Sequence, residues 1–161
     1  MRIDSQVEPL VRESLAAAVA RDPARAAAST QALVDRGDRV FAEAVALCYA
    51  VDHCLLSELS AEQPGSDAIS SLAESVALME AWADIDQPTA ETFMTALLDL
   101  RDPASVLWPA DAVETGFVVG AWLLSAFTPE TTAWEFLLDD ALTTLEFESS
   151  PLPWHRTVVV Q

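Results

Sequence analysis

The stretch LCYAVDHCLLSEL, residues 47–59, gathers Cys48, Asp52, His53 and Cys54 inside an apolar run. Those side chains could hold zinc, supply a thiolate nucleophile or move a proton. Spacing decides among the three. Around a helix, with successive residues 100° apart, Cys48 and Cys54 lie about 240° from each other, so they cannot close on one ion. His53 falls on the polar side, away from Cys48, and no second cysteine pair exists to complete a tetrahedral set. No metal or other cofactor is expected. The remaining histidine, His155, could form a dyad with Cys48, but a buried thiol without cationic neighbours has its pKa raised, which suppresses the nucleophile.

Asp52 is the residue with chemical promise. It falls about 40° from Cys48, within the apolar sector made by Phe41, Ala44, Val45, Leu47, Cys48, Val51, Leu55, Leu56 and Leu59. A carboxylate there must find donors or take up a proton. A structural role has it bonding a neighbouring helix end or pairing with Arg39 or Arg101. A functional role makes it a general base or a ligand anchor in an apolar pocket. Trp82, Trp108, Trp122 and Trp134 either fill the core or line such a pocket.

Other carboxylates have suggestive spacings that dissolve on inspection. Asp99 and Asp102, and Asp111 and Glu114, are spaced like magnesium-binding pairs. Asp102, however, precedes Pro103 at a helix end, and Asp111 with Glu114 reads as N-terminal capping. Glu80 with Asp84, and Glu135 with Asp139, are like-charge pairs one turn apart, each costing a few tenths of a kcal/mol in an isolated helix. Their repulsion marks them as a candidate acidic interaction face.

The elements that must position these residues are helical throughout. Apolar periodicity and breaks at Pro, Gly and capping residues give seven helices: about 5–20, 23–36, 38–60, 66–86, 88–101, 110–126 and 130–146. Asp22, Asp38 and Ser66 or Asp67 are the expected caps, and Gly37 the expected C-terminal stop. In the fourth helix Ile69, Leu72, Val76, Met79 and Ala83 form one stripe. The sixth is apolar nearly all round, as a central helix should be, with Gly116 and Gly120 one turn apart for close packing. The predicted fold is all-α: a single-domain bundle over residues 1–148, followed by an extended, Pro-flanked tail over 149–161.

Composition narrows the function. The 161 residues suit one domain with its own core. There are 26 acids and eight basic residues, all arginine, for a net charge of −18. Residues 1–39 carry six of each sign, so the whole excess lies beyond them. Without a basic face no direct nucleic-acid contact is expected. The twelve-residue run GFVVGAWLLSAF is too short for a bilayer, so no membrane association is expected, and the absence of a leader-like segment at residues 1–13 makes the cytoplasm the expected compartment. Two expectations follow. The first is an acidic interaction module for a basic protein partner, in the manner of an inhibitor or immunity-type antagonist of a nucleic-acid-binding protein. The second is a small helical enzyme or binding protein for an apolar metabolite, with Asp52 and the tryptophans around its pocket.

Overall fold

The computed structural model describes residues 2–59 and 62–147. The predicted tail, and His155 within it, lie outside the described residues. Seven α-helices occur among these: α1 (Glu8–Val19), α2 (Pro23–Asp35), α3 (Asp38–Glu58), α4 (Ser66–Met79), α5 (Gln87–Leu98), α6 (Pro109–Phe127) and α7 (Trp134–Phe147). Short 3₁₀ turns at Ala81–Ala83 and Pro103–Ser105 join α4 to α5 and α5 to α6. There is no strand among the described residues, so the chain is the all-α bundle its periodicity implies.

Two helices form the centre. Every residue from 46 to 52 in α3 and from 115 to 124 in α6 is buried. Helix α3 touches α1, α2, α5, α6 and α7, and α6 touches α1, α3, α4, α5 and α7. Both are long and apolar enough to cross a membrane by length and composition, yet most of each is enclosed by its neighbours, as in the core of a bundle. The buried surface of α3 extends beyond the broad apolar sector expected for it: Ala46, Tyr49 and Ala50, outside that sector, are buried too.

The glycines of α6 make the crossing possible. A methyl at Gly116 would sit 2.8 Å from Tyr49 Cε1, and Phe93 lies just beyond, its ring edge-on to Tyr49 at 5.4 Å. A methyl at Gly120 would collide with Asp52 Oδ1 and meet Leu15 Cδ2 at 3.1 Å. Glycine in a helix interior costs about 0.5–1 kcal/mol relative to alanine; here close approach of α1 and α3 offsets it.

Several helix ends differ from expectation. Asp22 caps α2 as expected, accepting from the Arg25 N–H at 3.0 Å. Gly37 stands at φ 92°, a left-handed value that glycine adopts without penalty, and it turns α2 directly into α3. Asp38 lies inside the first turn of α3 instead of capping it, and Gly65, not Ser66 or Asp67, precedes α4. The fourth helix stops at Met79, seven residues early, so Met79 is more than half exposed and the core stripe ends at Val76. There the chain enters the 3₁₀ turn, passes through Asp84 at φ 55°, and Asp86 caps α5 by accepting from the Thr89 N–H. The seventh helix starts at Trp134 because residues 129–132 form a turn, with the Thr132 N–H donating to the Pro129 carbonyl.

Gly120→Ala should destabilise the protein by about 1–3 kcal/mol in denaturant unfolding. The cost should shrink in an Asp52→Ala background, where the added methyl has room. Equal costs in both backgrounds would show that the α6 glycine does not answer to Asp52.

Candidate functional site

Asp52 is completely buried, and neither carboxylate oxygen has a hydrogen-bond partner among the described residues. The expected partners are engaged elsewhere or exposed: Arg39 bonds Glu43 at 2.7 Å and sits 3.9 Å from Asp4, and Arg101 is on the surface. The carboxyl is wedged between α3 and Gly120 of α6. Burial pushes its pKa well above the ordinary 3.8, so the group prefers to keep its proton. The same burial, and secondarily Asp52 itself, raises the Cys48 thiol, one turn away. Cys48 and Cys54 are buried and not joined in a disulfide, and the Cys54 thiol contacts the Glu58 carboxylate at 3.7 Å. Asp52 thus sits where α3 and α6 cross too closely for even a methyl at Gly120.

The candidate acidic face also changes on folding. Glu80 is only 4% exposed. It accepts Arg21 Nε at 3.2 Å, Arg21 Nη2 at 3.1 Å and the Trp82 indole N–H at 2.6 Å. Asp139 is bonded by Arg12, which also bonds Glu8 at 2.8 Å. Each like-charge pair thus loses one member to an arginine from α1 or the turn that follows it, and of the four only Asp84 and Glu135 are exposed without an ion pair among the described residues. Among the described residues no group of three or more His, Cys, Asp or Glu is placed to hold a metal ion. Asp102 caps the second 3₁₀ turn by accepting from the Ala104 N–H, whereas Asp111 makes no cap bond, Trp108 being the residue that precedes α6.

The tryptophans are dispersed over the fold. Trp122 is buried with Phe127 edge-on at 5.8 Å, Trp134 is half-buried against the core, and Trp108 is 80% exposed. Trp82 alone of the four lines the groove described next, and Asp52 does not border it.

That groove, with a volume of about 750 Å³, lies between α1, α2 and α6, and Phe41 and the Trp82 turn complete it. Its origin is legible in α2. The sequence PARAAASTQALVD has one buried leucine and many alanines, so α2 packs on α1 and α3 without large side chains to reach α6. Val34, Phe41, Val113 and Phe117 supply apolar walls. Ser14 of α1 borders it, 3% exposed, its hydroxyl oxygen enclosed and without a hydrogen-bond partner among the described residues. The Arg21–Glu80–Trp82 contacts fix the indole at the rim across 59 residues of sequence. At one end stand Asp84 and Glu114. Glu114 is raised above the usual carboxyl range by partial burial, then by the charges of Asp111 and Asp84.

Sequence reasoning named Trp82, Asp84, Asp111 and Glu114 for other reasons and missed Ser14, Phe41, Val113 and Phe117 as a set. The signal available was the alanine-rich α2 beside an unusually apolar α6. Comparison with family models, with characterised proteins and with solved structures gave no match.

Asp52 gives a pH test. Unfolded, the carboxyl titrates near 3.8, whereas folded it holds its proton to higher pH. Above about pH 4 the folded state therefore binds more protons than the unfolded, and stability falls as pH rises, by up to about 1.4 kcal/mol per unit until Asp52 ionises. Asp52→Asn should match the parent near pH 3 and become progressively more stable than it towards pH 8 in parallel unfolding titrations. A constant difference would mean that Asp52 is ionised in the fold.

Proposed function

We propose that this chain is a binding protein whose groove between α1, α2 and α6 takes the apolar body of a small organic molecule. The observation that carries this is an apolar cavity of about 750 Å³ with Trp82 held in its lining by a bond to Glu80 and the carboxylates of Asp84 and Glu114 beside it. Ligand sites commonly have this size and this combination of apolar walls with a few polar groups. Asp52 does not line this groove. The buried thiols Cys48 and Cys54, not joined in a disulfide, support a cytoplasmic setting.

Fragment screening by amide NMR should place its hits at Ser14, Val34, Trp82 and Val113. Ala27→Trp, which puts an indole into the groove from the exposed side of α2, should abolish those shifts while leaving the melting temperature close to the parent's. Hits scattered over the surface, or untouched by Ala27→Trp, would defeat the reading.

A second reading, an acidic module that docks a basic protein, draws on the charge of −18 and on exposed carboxylates such as Glu135 and Asp140. Association would then be steered by the field, with an on-rate that falls as salt rises from about 50 mM to 500 mM. Because Asp139 is bonded to Arg12, charge reversal at Glu135 and Asp140 is the cleaner variant. It should slow association with little change in stability, and an affinity indifferent to salt and to both reversals would end this reading.

A further inference from the structure

We propose that the guest of the groove is cationic: an organic amine or quaternary ammonium with an aromatic or aliphatic body, its body against Val34, Phe41 and Phe117 and its charge between Asp84 and Glu114. This rests on the groove being a binding site and adds the chemical class of what it binds. Three independent features point the same way. Asp84 and Glu114 come from different elements, the turn after the Trp82 3₁₀ segment and α6, yet both line one end of the same cavity. The influences on Glu114 are burial and two further carboxylates, Asp111 and Asp84, with no arginine among them. No arginine among the described residues lines the groove, and Arg21 is bonded to Glu80 beside the Trp82 turn.

Trp82 is the third feature. An indole is the best aromatic face for a cation, and this one is held in place by its own N–H bond to Glu80. A neutral guest would leave the two rim carboxylates to repel each other; an anionic guest would add to that repulsion. A cation relieves it by pairing with both carboxylates.

Three probes with one body and different heads separate the outcomes: phenylbutylamine, phenylbutanol and phenylbutyrate, titrated into the full chain at neutral pH and matched ionic strength by calorimetry and amide NMR. The expected order is amine, then alcohol, then carboxylate, with the amine about fivefold or more tighter than the alcohol. Asp84→Asn with Glu114→Gln should bring the amine to the alcohol's affinity and leave the alcohol unchanged. Ala27→Trp should remove all binding. Equal affinities for amine and alcohol, or an unaltered amine affinity in the double variant, would overturn the cationic guest while leaving the groove as a site. Failure of all three probes to shift groove residues would overturn the groove itself. Amine binding that survives Ala27→Trp would be general condensation on an acidic surface, and would likewise reject the proposal.

Discussion

Two helices without a polar face have to be packed on every side, and this requirement organises the protein. Helices α3 and α6 each carry buried residues around their circumference, so each must be surrounded. They can cross closely only because α6 presents Gly116 and Gly120 to Tyr49 and Asp52. The remaining helices are the sleeve. Their own amphipathic stripes need only one apolar side, which is why α1, α4, α5 and α7 show conventional patterns and polar outer surfaces.

The core and the number of helices were legible because burial imposes a 3.6-residue period on the side chains, and Pro, Gly and Asp22 punctuate it. The special role of Asp52 was legible too, since an aspartate in an apolar sector is conspicuous. Its missing partners were not: whether an arginine arrives depends on how helices far apart in sequence are docked. Glu80 shows the converse. Periodicity carries the fourth helix straight through it, and only the tertiary contact with Arg21 and Trp82 reveals that the chain turns there. A groove is harder still, because it is made by volume that is absent, and absent volume has no sequence motif.

The charge distribution looks different once folded. The neutral N-terminal quarter is not a neutral patch: Arg12 and Arg21 reach across to Asp139 and Glu80, and Arg25 and Arg39 bond Glu13 and Glu43. Arginine therefore acts largely as internal staple, fastening the α1 region to α7 and to the turn after α4. What is left for the surroundings is more purely anionic than the overall composition suggests. Surface pairs of this kind contribute little individually, but those from α1 to distant segments fix which helices are neighbours.

Helix α2 separates two kinds of selection. Its buried contribution is confined to Ser29 and Leu33, while Ala26, Ala27 and Thr30 border the groove. Replacing one of those small residues by another alters the volume and outline of the cavity without entering the α3–α6 crossing. Guest preference in this architecture can accordingly drift by single substitutions on one wall, at nearly constant stability, so descendants of the same fold could diverge in what they recognise long before their cores diverge.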